Sequence, residues 1–153
     1  LIVRTLSSLS LAGRVQLVSY AGRSVLFDVA HNPEAARYLA GYLRENLQTL
    51  FRCQKIVVVF ALMQDKDLSE VFAPFQGLVD RWFLPKCDHP RAMAPEKILE
   101  FLQDKVEPTS ATLYSLPSDA LQAALTFDSD YLIVCFGSFY LVGPLLSYCA
   151  IDV

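Results

Sequence analysis

The sequence predicts a doubly wound α/β domain of the Rossmann-like type, with a mostly parallel sheet, an antiparallel edge hairpin and helices on both faces. Strand-like and helical segments alternate along the chain, as in parallel sheets covered on both sides. Lys55–Phe60 after its first residue, and Tyr131–Phe136 throughout, are continuously apolar, which is typical of strands buried on both faces. Residues 15–20 and 24–27 are β-type runs joined by Ala-Gly-Arg, a hairpin signal.

The other elements follow in chain order. Residues 1–12 are predicted to be a linker or leading segment, and 13–153 to form the domain. Apolar residues recur at helical spacing within 33–50, which predicts the first helix. Short strands are expected at 81–84 and 111–114, and further helices at 68–75, 94–105, 118–126 (capped by Ser118) and 139–148.

Composition excludes several classes of protein. The chain has 153 residues, enough for one domain with a substantial core, and a net charge of −3, which gives no electrostatic case for binding nucleic acid or an anionic membrane. No apolar run reaches the ~18 residues of a membrane span. The four cysteines and two histidines lack the spacing of a zinc site. Reduced thiols predict a cytoplasmic location.

Residues 28–33, Asp-Val-Ala-His-Asn-Pro, form the most informative motif. A β-type run ends at Asp28, and Pro33 opens a helix, so a carboxylate and an imidazole lie beside helix N-terminal amides. Open α/β sheets bind ligands at such junctions, and helix N-termini attract phosphate. Alternatively, Asp28 and Asn32 only cap the helix. The hexapeptide alone leaves both interpretations open.

Two later loops are expected at the same sheet edge, at 62–67 and 137–140. Lys66 could hold a carboxylate or phosphate, or could be a solvated lysine between two aspartates. Gly137-Ser138 could offer amides to an anion, or could form an ordinary strand-to-helix turn. Arg14 could reach a phosphate, or lie at the surface. His89 is expected to be a solvated loop histidine.

The usual nucleotide-binding and hydrolase motifs are missing. The sequence contains no P-loop, no Gly-x-Gly-x-x-Gly fingerprint and no Gly-x-Ser-x-Gly elbow. A domain of this kind that handles a nucleotide must therefore do so as half of a site.

Four segments together resemble a known family. They are Leu-Ala-Gly-Arg-Val-Gln at 11–16, Asp-Val-Ala-His-Asn-Pro at 28–33, Asp-Lys-Asp at 65–67 and Gly-Ser-Phe at 137–139. In this order they resemble the C-terminal domain of folylpolyglutamate synthase/dihydrofolate synthase, of the Mur ligase superfamily. The chain departs from the family pattern at Ala12, where the folate enzymes often have Pro, which affects only the local turn.

The resemblance implies an ATP-dependent, ADP-forming ligase that activates a folate or dihydropteroate carboxylate as an acyl phosphate, which L-glutamate then attacks. It implies a separate N-terminal domain that carries the P-loop and the magnesium ligands, so the chain alone is predicted to be inactive and to contain no catalytic residue. The implied ATP-binding residues are Arg14 at the phosphates, Asp28 at the ribose, and His31 and Asn32 near the nucleotide. Lys66 and Ser138 are implied to bind the incoming glutamate.

Two alternatives to the folate ligase stay open at this point. The first is the corresponding domain of a muramyl-peptide ligase, and the second is a non-catalytic module that binds a nucleotide or a partner protein.

Overall fold

A computed structural model describes residues 15–151. Within this range, six strands form one sheet in the order β1-β2-β6-β3-β4-β5, and only the β1–β2 pair of these strands is antiparallel. The predicted doubly wound sheet with an antiparallel edge hairpin is therefore confirmed. The strands are β1 (Gln16–Tyr20), β2 (Arg23–Asp28), β3 (Lys55–Phe60), β4 (Arg81–Pro85), β5 (Ala111–Tyr114) and β6 (Tyr131–Phe136). The helices are α1 (Pro33–Asn46), α2 (Leu68–Phe72), α3 (Pro95–Leu102), α4 (Pro117–Leu125) and α5 (Phe139–Ile151).

The sheet separates two apolar layers. On β3, Ile56, Val58 and Phe60 face the layer that contains α1, α2 and α3, while Val57 and Val59 face the layer that contains α4 and α5. All five side chains are at most 1% exposed. A strand buried on both faces needs apolar residues at every position, which explains the uninterrupted run in the sequence.

The edge hairpin is closed by a two-residue turn, and the side chain of Arg23 connects it to a neighbouring segment. Ala21 and Gly22 both have positive φ, 52° and 77°, as a type I′ turn requires. Arg23, the next residue, donates through its guanidinium to the carbonyls of Leu125, Phe127, Asp128 and Tyr131. The arginine thus joins the hairpin to the loop that precedes β6.

Several predicted helix ends were wrong. The first helix ends at Asn46 rather than at residue 50. The second helix, α2, ends at Phe72 rather than at residue 75, and a 3₁₀ turn that contains Pro74 follows it. The predicted cap of α4, Ser118, is already inside the helix, because Pro117 occupies the first turn and Leu116 is the N-cap. The last helix continues past residue 148 to Ile151. No helix in the described range is long and apolar enough to cross a membrane.

Candidate site at the carboxyl edge of the sheet

The three predicted loops start side by side. In the sheet register, Phe136 at the end of β6 lies opposite both Asp28 at the end of β2 and Phe60 at the end of β3. The central strand β6 leads to α5 on one face, whereas both of its neighbours lead to helices on the other face. Connections that diverge in this way open a crevice at the strand ends, where α/β sheets bind ligands.

Asp28 is buried at the bottom of this edge. Its side chain is 2% exposed, and its Oδ2 accepts a hydrogen bond from the backbone N–H of Val15 at 2.9 Å. A buried carboxylate needs such donors because burial without them is costly. Asp28 therefore fixes the start of the hairpin against the end of β2, a structural contact that the sequence analysis did not include.

Asn32 caps the first helix, as one of the two interpretations of the motif predicted. Its backbone is extended, with φ −133°, and its Oδ1 accepts the Ala35 N–H at 2.9 Å. The cap places the amino-terminal end of α1, which carries a partial positive charge, at the same edge as Asp28. Asn32 is itself exposed.

His31 is half-buried and is oriented by its own loop. Its Nδ1 lies 2.7 Å from the carbonyl oxygen of Val29. The carbonyl can only accept, so Nδ1 carries the proton and Nε2 is the acceptor of the neutral ring. The motif therefore presents an imidazole with a defined acceptor nitrogen next to the helix N-terminus.

The loop after β3 holds Lys66 beside one weak ionic partner. The Lys66 Nζ lies 4.0 Å from Asp65 Oδ2, and the two side chains are 31% and 71% exposed. Asp67, the other flanking acid, instead caps α2 by accepting the Glu70 N–H at 3.1 Å. An exposed ion pair at this distance contributes about 0–1 kcal/mol, so Asp65 would compete little with a bound carboxylate.

Gly137 and Ser138 form the turn from β6 into α5. Gly137 has a φ of +119°, and a Cβ on it would lie 2.0 Å from the carbonyl oxygen of Ala61. Ser138 is 2% exposed, and its Oγ accepts the Tyr140 N–H at 3.0 Å, which caps α5. A hydroxyl that accepts one hydrogen bond still has its own proton to donate.

His89 lies in a loop at the same edge, as predicted for a loop histidine, but it is half-buried rather than fully solvated. It lies in the loop after β4, and its ring centroid is 4.0 Å from that of Tyr140, at an interplanar angle of 35°. A contact between a ring in one loop and a ring in a helix distant in sequence leaves no periodic pattern in the amino-acid sequence. Only the general rule that the carboxyl ends of parallel strands share an edge could have indicated it.

Some predicted features lie elsewhere. Arg14 and the linker 1–12 are outside the described residues. Within the described range, no group of three or more His, Cys, Asp or Glu side chains could hold a metal ion.

Burial raises the pKa of the Cys87 thiol to about 11 and the pKa of the Cys135 thiol well above its usual value, so neither thiol is a nucleophile. Cys135, on β6, is fully buried.

The chain matches a known protein family over most of its length. The sequence model of one family, described as Mur ligase, glutamate ligase domain, matches residues 13–139. The chain belongs to this family. The chain is 32% identical over 143 residues to the dihydrofolate synthase/folylpolyglutamate synthase of Escherichia coli K12, covering 92% of this chain and 31% of that protein. The enzyme of the same name from Buchnera aphidicola subsp. Acyrthosiphon pisum is 28% identical over 147 residues, covering 96% of this chain and 34% of that protein.

Solved structures are similar to the glutamate ligase domain over most of its length. The bifunctional Yersinia pestis enzyme in complex with AMPPNP and Mn ion has a TM-score of 0.78 and 30% identity, covering 97% of this chain and 33% of that chain. The Escherichia coli enzyme in complex with DHPP and ADP has a TM-score of 0.76 and 28% identity, covering 93% and 32%. The chain thus spans about a third of the proteins it matches.

Proposed function

We propose that this glutamate ligase domain is the C-terminal part of a cytoplasmic, ATP-dependent enzyme that adds L-glutamate to folate or dihydropteroate. ATP would convert the acceptor carboxylate into an acyl phosphate, and the amino group of glutamate would displace phosphate, with release of ADP. The observation that carries the proposal is that the 28–33 motif, Lys66 and Ser138 lie in loops that follow three adjacent strands at one edge of the sheet. The sequence contains no P-loop. The folate relatives favour this substrate class over muramyl peptides.

For the nucleotide, we propose contacts from Arg14, Asp28, His31 and Asn32. A carboxylate has about four lone-pair sites, so a ribose hydroxyl could donate to Asp28 in addition to the Val15 N–H. The Nε2 acceptor of His31 and the amino-terminal end of α1 would lie on the same side of the bound nucleotide. Arg14 would neutralise phosphate charge through a bidentate contact.

For the incoming glutamate, we propose Lys66 and Ser138. The ammonium group would hold a carboxylate as a point charge, and the Ser138 hydroxyl would donate its remaining proton. This division places the amino acid between the ends of β3 and β6 and the nucleotide nearer β2. The magnesium ligands are proposed to lie in the P-loop domain, as the family resemblance implies.

The test is glutamate kinetics in the intact ligase, expressed from the gene that encodes this chain. Lys66→Ala is expected to raise the KM for glutamate about tenfold or more, at nearly constant KM for ATP, because one partly desolvated charge pair is lost. Lys97→Ala, on the exposed side of α3, is the matched control. A wild-type enzyme that ligates no glutamate to either folate acceptor contradicts the proposal. An unchanged KM for glutamate in Lys66→Ala contradicts the role of Lys66.

The isolated chain is proposed to bind ATP weakly and to hydrolyse none, since it lacks the array of P-loop amides. Calorimetry with the 153-residue chain tests this statement directly. Submicromolar ATP binding, or steady ATP turnover in the presence of folate and glutamate, would show that the chain is more than half of a site.

A further inference from the structure

The loop after β4, residues 86–93, is joined by its backbone to the loop that carries Lys66. The Gln64 N–H donates to the Arg91 carbonyl at 2.8 Å, and the Met93 N–H donates to the Leu62 carbonyl at 2.8 Å. Met63 and Ala92 form an antiparallel bridge between these two hydrogen bonds. Because short backbone hydrogen bonds on both sides enclose the bridge, the two loops form one unit.

The same loop contacts the other side of the site through His89. Its ring lies against the ring of Tyr140 at a centroid distance of 4.0 Å, tilted by 35°. The backbone N–H of Tyr140 donates to the Oγ of Ser138, two residues earlier. A continuous path of contacts therefore runs from the Lys66 loop, through His89 and Tyr140, to the Ser138 hydroxyl.

The His89 ring is held from two directions. The backbone N–H of Arg91 donates to its Nδ1 at 3.1 Å, so the neutral ring carries its proton on Nε2. Further hydrogen bonds, from His89 N–H to the Cys87 carbonyl and from Ala92 N–H to the His89 carbonyl, tighten the loop at its ends. The ring is consequently presented to Tyr140 in one orientation.

We propose that His89 is a positioning residue for the glutamate end of the site. Its stacking on Tyr140 sets the separation between Lys66 and Ser138, which come from strands β3 and β6. The two groups must reach the same small amino acid, so an error in their separation weakens its binding without affecting the nucleotide. This inference rests on the proposed function.

The experiment compares two variants at residue 89 in the intact ligase. His89→Ala removes the ring and both of its nitrogens, whereas His89→Phe keeps a ring on Tyr140 and loses the Nδ1 acceptor and the Nε2 proton. His89→Ala is expected to raise the KM for glutamate roughly threefold to tenfold, as for loss of an aromatic pair, with the KM for ATP unchanged. His89→Phe is expected to restore most of the affinity for glutamate. Tyr140→Ala should raise the same KM, and the double variant His89→Ala/Tyr140→Ala should add little to either single change.

Thermal unfolding of each variant separates positioning from general stability. If His89→Ala does not fold, His89→Leu, which fills a similar volume without stacking, takes its place. A variant that lowers thermal stability but leaves the KM for glutamate unchanged overturns the inference, as does a His89→Phe enzyme no better than His89→Ala. If Lys66→Ala weakens glutamate while His89→Ala does not, the inference fails and the proposed function stands. If the wild-type enzyme ligates no glutamate, both fall.

Discussion

Gly137→Ala is expected to be among the most damaging single-methyl substitutions in this domain. The residue has a φ of +119°, a conformation that L-amino acids rarely adopt. Holding alanine there costs about 1–3 kcal/mol. The added Cβ would also lie 2.0 Å from the carbonyl oxygen of Ala61, which is backbone and not a flexible side chain. Relief of that overlap by a backbone shift costs about a further 1–3 kcal/mol.

The expected loss in the free energy of unfolding is thus about 2–6 kcal/mol, against a total of about 5–15 kcal/mol for a typical domain. Urea unfolding followed by circular dichroism measures it on the isolated chain. Gly41→Ala is the matched control, because Gly41 lies within α1 and nothing is within 4 Å of its added Cβ. That substitution should stabilise the chain by about 0.5–1 kcal/mol, since alanine favours helix interiors. A Gly137→Ala variant that loses less than about 1 kcal/mol would refute the reasoning.

Two further predictions concern stability and pH. Arg23→Ala should lower the free energy of unfolding by about 2–4 kcal/mol, because four backbone carbonyls lose a charged donor. Arg23→Lys should recover less than half of this loss. An unchanged urea midpoint in either variant would contradict the stabilising role of the Arg23 hydrogen bonds. Burial raises the pKa of Cys87 from 9.0 to about 11, so the folded state keeps this proton when the unfolded state loses it. Stability from this thiol is complete below pH 9.0 and is lost as pH rises towards 11, by about 2–3 kcal/mol. Urea unfolding between these pH values should show a shallower decline in Cys87→Ala than in the wild type, and identical slopes would refute the assignment.

The sequence predicted element types well because each type leaves a local pattern. Continuous apolar runs predicted β3 and β6, and helical spacing predicted α1. The shared edge of the three loops followed from the rule that parallel strands end together. Helix ends were less predictable, since Pro117 determines the start of α4 more strongly than the neighbouring Ser118 does.

Contacts between distant segments left no such pattern. The hydrogen bond from Val15 to Asp28 depends on the antiparallel register of the hairpin, and the stacking of His89 on Tyr140 depends on how far two loops extend above the sheet. The functional interpretation of Asp28 was available from the motif, but its burial was not, because a motif does not reveal which backbone groups fold back onto it.

The central position of β6 also determines how the domain must assemble. Among the described strands, the edge hairpin pairs only with β6, which follows the other five in sequence. Until residues 131–136 are synthesised, the hairpin and the β3-β4-β5 unit have no common strand between them. A nascent chain that stops short of this point exposes the edges of β2 and β3, which is a risk for aggregation. The described sheet is therefore complete only when β6 pairs with both β2 and β3.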